Sequence, residues 1–395
     1  RGDRVGVRRV HAFSFGVEAA TARAATSAAL ARGNGRGETL VVVRPATSPN
    51  GIQYFVNRGL SGFDPRRTIL GLPAVVAGDA TRCADMNGNG SVDFLISNSA
   101  RPPGTIEQFL DFVPGVRPNL LTRIENGLGL VTTLEYESSV DQMVRARDAG
   151  NPWETTMPIA VPVLARITES DSRGNDFVRE FTYRNPHFDA DKQEFRGFTR
   201  AEARDIGDDS APTKVMTSDF DNGVQASCRK GMVLSQETAD SAGSRFDRTE
   251  NTVNHRLIEN ASDGRRLCYA FNEAVDTFVF EQTETPVHLR AEYQFDDFGN
   301  TLQEIKLGVA NESGDEQSME KAFAYDFVNW RLDRMARSTT RDGNGAKVAE
   351  DLFTYDPRGN LLEHHSWLNT GDRFVLNIRN VYDAFGNVLR MFDAN

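Results

Sequence analysis

Through most of the chain, apolar and polar residues alternate over short runs broken by turn residues, the pattern of β-strands. Leu40–Val43, Ile52–Val56, Val131–Tyr136 and Val161–Ile167 are such runs. Asn126-Gly127 and the stretch Asp171–Asn175 stand between alternating segments and predict hairpins. The exception is the alanine-rich Val17–Arg32, stopped by Gly33-Asn34-Gly35, which reads as one helix or as a flexible insertion.

The alternation becomes a repeat towards the C-terminus. Tyr382-Asp383-Ala384-Phe385-Gly386-Asn387 and Tyr355-Asp356-Pro357-Arg358-Gly359-Asn360 are its full copies, and Phe295–Asn300 differs by Phe for Tyr. A fourth copy, Tyr325–Leu332, has lost the glycine, and Asn329 is expected in its place. The aspartates at 296, 326, 356 and 383 are 30, 30 and 27 residues apart, a period that marks a repeat architecture. An Asp side chain can accept from backbone N–H groups ahead of it, and glycine then supplies the positive φ of the turn. One hairpin cannot bury its own apolar face, so the units must stack into a larger sheet.

One segment carries metal-type spacing. In Asp85-Met86-Asn87-Gly88-Asn89-Gly90-Ser91-Val92-Asp93, side-chain oxygens fall at relative positions 1, 3, 5 and 9, with glycine at 6. That arrangement turns oxygens inward around a hard cation and predicts a structural Ca²⁺ site. Its ligands would be Asp85, Asn87, Asn89, Asp93 and the backbone carbonyl of Ser91. The glutamate of an EF-hand is missing, since Ile96 stands at position 12, and Phe94-Leu95-Ile96 reads as a strand. The other reading of this loop is an Asx/Gly turn that binds nothing. A calcium loop between strands, after the turn Asn57–Phe63, resembles one FG-GAP/VCBS blade of a β-propeller over roughly residues 50–100.

Composition excludes more than it adds. The net charge of −11, with acidic and basic residues interspersed, argues against a nucleic-acid surface. No apolar run reaches the roughly 18 residues of a membrane span. Cys83, Cys228 and Cys268 lack metal-ligand spacing and read as thiols, although one pair could bridge. There is no Gly-x-Ser-x-Gly elbow, His-Glu-x-x-His or P-loop. His364-His365 would point to opposite faces of a strand, which makes a poor joint metal site. Asp208-Asp209 and Asp296-Asp297 read as turn residues rather than catalytic dyads, and Trp153, Trp330 and Trp367 as buried sheet aromatics. The chain reads as non-enzymatic.

Three further stretches carry a resemblance: Asn119–Gly129, Pro152-Trp153 through Pro162-Val163, and Glu194-Phe195-Arg196-Gly197-Phe198. In this order they resemble the middle region of the B component of ABC-type (Tc) insecticidal toxin complexes, shared with virulence-plasmid B proteins. The Tyr-Asp copies resemble the Rhs/YD repeats that follow it. The resemblance covers about residues 50–395. It implies an all-β chain: a partial FG-GAP/VCBS-like propeller blade, then an antiparallel Rhs/YD-repeat β-shell. The expected segments are 1–40, uncertain; 41–115, propeller region; 116–285, middle-region domain; and 286–395, YD repeats. The start at Arg1 and the stop after a repeat suggest a piece of a longer polypeptide.

As partners the resemblance implies the rest of the Rhs shell around a C-terminal toxic effector, and a pore-forming translocation component docked by the propeller. It places the protein in the bacterial cytoplasm before export and outside the cell afterwards. The alternative of another class is a cell-surface adhesion or glycan-binding β-repeat protein. An enzyme with a dispersed site is the third reading.

Overall fold

The computed structural model describes residues 79–393, except 105, 112–114, 116–119, 261, 263–265, 281–282 and 311, together with residue 65 and four strands nearer the N-terminus. Two compact units divide the chain, residues 1–188 and 189–395.

In the first unit, β1 (Ser27–Ala31), β2 (Thr39–Val43), β3 (Ile52–Phe55) and β4 (Arg67–Ile69) form a four-stranded antiparallel sheet in sequence order. The helix expected over Val17–Arg32 is corrected by β1, which lies inside that run. Alanine tolerates either conformation, and the Thr39–Val43 strand offers a partner, with Ala29 opposite Val41. The rest of the run, the turn Asn57–Phe63 and the prolines at 114 and 118 lie outside the described residues.

A three-stranded sheet follows, from β5 (Ala80–Ala84), β6 (Asp93–Ser97) and β7 (Glu107–Leu110). The stretch expected to be one blade, about 50–100, is thus shared between two sheets. Each strand pairs with its sequence neighbour, and β4 and β5 are not partners. β6 is the most buried strand among the described residues: Phe94, Leu95 and Ile96 are all buried and pack with Leu110.

Next come β8 (Arg123–Glu125), β9 (Val131–Ser138), β10 (Pro162–Ser170) and β11 (Asp176–Asp189), each antiparallel to the one before. Between β9 and β10 lies the one α-helix among the described residues, α1 (Ser139–Asp148). Ser138 caps it by accepting from Val140 N, Asp141 stands in its first turn, and Arg145 and Arg147 in its last.

The second unit is a single antiparallel meander of hydrogen-bonded neighbours. Its strands are β12 (Glu194–Asp205), β13 (Lys214–Asp221), β14 (Met232–Asp240), β15 (Arg245–Asn260), β16 (Arg266–Val279), β17 (Val287–Phe295) and β18 (Thr301–Val309). The C-terminal strands are β19 (Gln317–Asp326), β20 (Arg331–Asp342), β21 (Lys347–Tyr355), β22 (Leu361–Leu368), β23 (Arg373–Tyr382) and β24 (Val388–Asp393). Side chains alternate between the two faces of this sheet, yet most are only half-buried. Among its described residues only Ala274 and Phe280 are fully buried apolar side chains.

The division between units falls inside the expected 116–285 segment, whereas residue 115 lies in the connection between β7 and β8. Two cysteines expected as thiols form a disulfide, Cys228–Cys268, with Cα atoms 5.8 Å apart. They are 40 residues apart in sequence, and the packing of a 3₁₀ turn, Ser227–Arg229, beside β16 brings them together. Cys83 remains a half-buried thiol, pushed up in pKa by burial.

Candidate cation loop and the repeat turns

The loop Asp85–Val92 joins β5 to β6, and Asp93 opens β6. Asp85 organises it: its Oδ1 accepts from Gly88 N (2.7 Å) and Asn89 N (3.1 Å), and its Oδ2 from Gly90 N (2.9 Å). Asn87 Oδ1 accepts from Asn89 N, and Asn89 Oδ1 from Ser91 N. Gly88 (φ 74°) and Gly90 (φ 82°) take the left-handed conformations this tight path needs.

Asp93 is fully buried. Its Oδ2 accepts from Met86 N at 2.8 Å, while its Oδ1 has no donor. Burial pushes its carboxyl up to about 7, opposed by the Met86 bond and reinforced by the charges of Asp111 and Asp85. Ser91 is buried as well, its Oγ without a hydrogen-bond partner. Asp111, which the loop spacing does not single out, accepts from Asn87 Nδ2 (2.8 Å) and Asn89 Nδ2 (3.3 Å).

Of the five expected residues, Asp85, Asn87, Asn89 and Ser91 lie on the loop and Asp93 at the first position of β6. Among the described residues, no group of three or more His, Cys, Asp and Glu side chains is arranged to hold a metal ion. A cation here would depend on amide and backbone oxygens besides carboxylates, a donor set suited to Ca²⁺. The buried, donorless Asp93 Oδ1 fits such an ion.

The loop is held from one side by the helix. Ser138 Oγ donates to Gly88 O, and a Cβ on Gly88 would stand 3.1 Å from both Val140 methyl carbons. Gln142 on α1 then donates to Phe181 O (3.1 Å) and accepts from Tyr183 N (2.7 Å) on β11.

Elsewhere, residue types used in hydrolysis meet without the geometry. Asp351 Oδ1 accepts from Ser366 Oγ (2.7 Å) and pairs with His364 Nε2 (2.8 Å), while Ser366 Oγ lies 3.4 Å from that same nitrogen. In a triad the carboxylate and the serine engage opposite ring nitrogens, so this is no relay. It is a sheet device: Phe353 stacks on His364 at 4.6 Å, and Phe278 on His288 at 4.4 Å, with His288 Nε2 2.8 Å from Asp276. His365 lies near Glu363, not Asp351.

The paired acids are likewise structural. Asp208 accepts from Ser210 and Ala211 N–H groups, and Asp297 pairs with Arg256. Of the tryptophans expected to be buried, Trp330 is 73% exposed, because it sits in a turn with φ 55°. Trp367 lies half-buried under Lys347 Nζ, 4.1 Å from the ring centre, and donates to Asp372.

The repeat turns share one hydrogen-bond set. In Asp296–Asn300, Oδ1 of Asp296 accepts from Phe298 N and Asn300 N, both 2.8 Å. Its Oδ2 accepts from Asn300 Nδ2 at 2.7 Å, and Gly299 has φ 90°. This is a turn closed by a glycine bulge, and it recurs at Asp171, Asp356 and Asp383. Asp240 and Asp342 build the backbone part of it with Ser244 and Ala346 in the last position. Asn126 replaces Asp at the β8–β9 turn, accepting from Leu128 N and Leu130 N, so Asn126-Gly127 opens a five-residue turn rather than a two-residue one.

In the glycine-less copy, Asn329 takes the clamping role, with its Nδ2 2.7 Å from Asp326 Oδ2, and the positive φ falls on Trp330. The expected substitution of glycine by Asn329 is corrected accordingly: the turn is one residue shorter.

Side chains also tie the turns at Asp296, Asp326 and Asp356 to one another. Tyr325 OH donates to Asp296 Oδ2 (2.6 Å), Asn300 Nδ2 to Leu332 O (2.6 Å) and Arg334 Nε to Gly359 O (2.8 Å). The Glu-Phe-Arg-Gly-Phe stretch does similar work. Buried Arg196 donates to Gly223 O (2.7 Å) and pairs with Asp189, and Phe195 meets Phe198 edge-on at 5.3 Å.

Residues 57–225 match the model of the insecticide toxin TcdB middle/N-terminal region. This segment is a Tc-toxin B-component middle region. No curated protein sequence matches the chain. Among solved structures, the TcdB2-TccC3 crystal structure is similar with a TM-score of 0.69 at 13% identity, over 93% of this chain and 26% of that one. TcdB2-TccC3-Cdc42 gives 0.69 at 14% identity, over 93% and 25%. The Photorhabdus luminescens Tc holotoxin pore gives 0.67 at 14%, over 86% and 22%. The likeness establishes the all-β fold, with its large antiparallel sheet running beyond the middle region. The chain spans about a quarter of the length of these structures.

Proposed function

We propose that this chain is a non-enzymatic wall segment of a secreted bacterial toxin, part of a hollow YD-repeat shell that encloses a C-terminal effector. In this reading it links to a propeller that docks a pore-forming translocation component. The observation that carries it is the meander of the second unit, in which one turn type recurs and the turns at Asp296, Asp326 and Asp356 are bonded in succession. Such a sheet suits enclosure: its described residues form no thick dry core, and side-chain ties run along its turn edge. A middle region of the B component and fold similarity to TcdB2-TccC3 support the same reading. The disulfide fits a protein that works outside the reducing cytosol. No helix among the described residues is long and apolar enough to cross a membrane.

The Asp85–Asp93 loop is proposed as a structural Ca²⁺ site, with Asp85, Asn87, Asn89, Asp93 and the Ser91 carbonyl as ligands. The ion would fasten the β5–β6 hairpin and, through Gly88, the start of α1.

The test is protease access. The full polypeptide would be assembled with its C-terminal partner, and digestion of the effector followed in the intact assembly and in one carrying Asp296→Ala and Tyr325→Phe. Enclosure predicts an effector resistant to trypsin in the first and cleaved faster in the second. An effector digested at the free rate in the intact assembly would sink the proposal.

A further inference from the structure

We infer that the Cys228–Cys268 disulfide is a redox-sensitive latch, which closes a seam between a hairpin arm and the β13–β14 loop. A small-molecule thiol opens the seam while the rest of the sheet keeps its fold. This device stands apart from the shell reading and does not depend on it.

Strand register sets off the arm. β14 pairs with β15 only as far as Glu250, and β17 pairs with β16 only as far as Ala274. Beyond those residues β15 and β16 pair with each other alone, out to Asn260 opposite Arg266. A register shift between Thr252 and Val253 marks the root of the arm, and such irregularities bend a strand. A cavity lies on each side. One of about 270 Å³ opens at the root, beside Thr252, Glu273 and Glu292. The other, of about 280 Å³, lies between His255, Leu257 and Cys268 on the arm and residues 223–227 of the β13–β14 loop.

Each bank of the seam has its own anchors. On the arm, Arg256 donates to Phe295 O (3.2 Å) and Asp297 Oδ1 (2.9 Å), Tyr269 OH donates to Asp296 O, and Phe271 packs on Phe295 at 4.8 Å. On the loop, Gly223 O accepts from Arg196, Asn222 donates to Gly197 O (3.2 Å), and Arg229 pairs with Asp221. Among the described residues, no hydrogen bond or ion pair joins this loop to the arm, so the disulfide is the bond between them. Cutting it parts the two banks and leaves each attached to its own strands.

The opening step is a thiol–disulfide exchange. A thiolate attacks one cysteine sulfur, forms a mixed disulfide and releases the other cysteine as a thiolate. A second thiol displaces the remaining cysteine and leaves as the small-molecule disulfide. Two electrons pass to the protein's sulfurs, and each takes up a proton. Both cysteines are half-buried and Cys268 lines the larger cavity, which gives a small thiol its way in. Apart from the Arg196–Asp189 pair, the wall carries Lys192 and Arg266 against Asp191, and this positive excess favours the attacking thiolate.

The test uses the full polypeptide in three forms: oxidised, treated with glutathione, and as a Cys228→Ser, Cys268→Ser double variant. Alkylation read by mass spectrometry reports the thiols, and amide hydrogen exchange reports the seam. Glutathione without denaturant should make both cysteines alkylatable. Exchange should then quicken about tenfold or more in the loop, residues 222–231, and in the outer arm, while β19–β24 stay unchanged. The double variant should show the same quickening with no thiol added, and reoxidation of the parent should reverse it. A bond that yields to glutathione only in denaturant would overturn the latch, since its sulfurs would then be closed to solvent. Reduction with unchanged exchange would overturn it too, by showing that packing alone closes the seam. Quickened exchange throughout the second unit would make the bond a staple of the whole fold, and no switch.

Discussion

At the scale of single residues, the protein depends on one aspartate used repeatedly. Asp296 is the most engaged copy: it accepts from two backbone N–H groups, from Asn300 and from Tyr325, and is nearly buried. Asp296→Ala leaves those donors without their charged acceptor and should destabilise the protein by about 2–3 kcal/mol, read as a lowered urea midpoint. Asp383→Ala, in an exposed turn without a tyrosine tie to its carboxylate, should cost less. Equal losses would show that the Tyr325 bond adds nothing.

The same carboxylates set the response to acid. Burial pushes Asp296 up, but its hydrogen bonds outweigh this and hold it below the usual carboxylate range. Asparagine and backbone donors lower Asp171, Asp326 and Asp383 too, and Asp356 is lowered by such bonds against its desolvation. A folded pKa below the unfolded one, about 3.9, gives stability that is complete above that value and is lost as pH falls through the folded pKa. The stability that these turns supply should therefore hold from pH 7 to about 5 and be lost increasingly below pH 4, whereas Asp93, raised to about 7, acts in the opposite direction as pH falls. The fall in melting temperature below pH 4 should be shallower in a variant with Asp296→Asn and Asp356→Asn. Parallel curves for the two proteins would rule this cause out.

These turns were legible from Asp, Gly and Asn in the sequence, because each residue type has one geometric duty. Asn329 misled because Asn suits both the left-handed position and the clamp. The turns at Asp240 and Asp342 were missed because backbone bonds to Asp suffice when Ser244 or Ala346 ends them.

At the scale of elements, α1 does the work of a clamp between the cation loop and β11. The β10–β11 ladder pairs Arg166 with Glu180 and then gives way. Beyond it, buried Gln142 bonds Phe181 O and Tyr183 N with its side-chain amide, and also Glu137. Gln142→Leu fills the same space but removes its side-chain bonds to two backbone groups, a loss of about 2–3 kcal/mol. Hydrogen exchange should show it as faster exchange at Tyr183; unchanged protection there would mean another group holds that N–H. The helix was signalled by Ser138, Asp141 and the two arginines, a start and stop pattern overlooked beside stronger strand signals. The disulfide and the meeting of Asp93 with Asp111 had no such local sign, since both depend on strand register and packing between distant segments.

At the scale of the whole molecule, the second unit tests the idea of a wall. A solid domain of 207 residues would bury many large apolar side chains, but here the fully buried apolar residues among those described are Ala274 and Phe280. Aromatic side chains such as Phe298, Tyr325 and Phe327 touch one another at 5.4–5.9 Å while staying partly exposed. Cohesion rests instead on the strand ladder and the ties between turns. The heat-capacity change of unfolding follows apolar surface exposed, about 12–15 cal/mol/K per residue for ordinary globular proteins. A sheet wetted on its faces should fall clearly below that figure in calorimetry. A value within or above it would mean that the faces are covered in solution, and the wall would then have to be described as a core. The repeat period foretold stacked hairpins, but period alone cannot distinguish a stack that encloses a space from one that fills it. That distinction lies in how little of each apolar side chain the neighbouring strands cover.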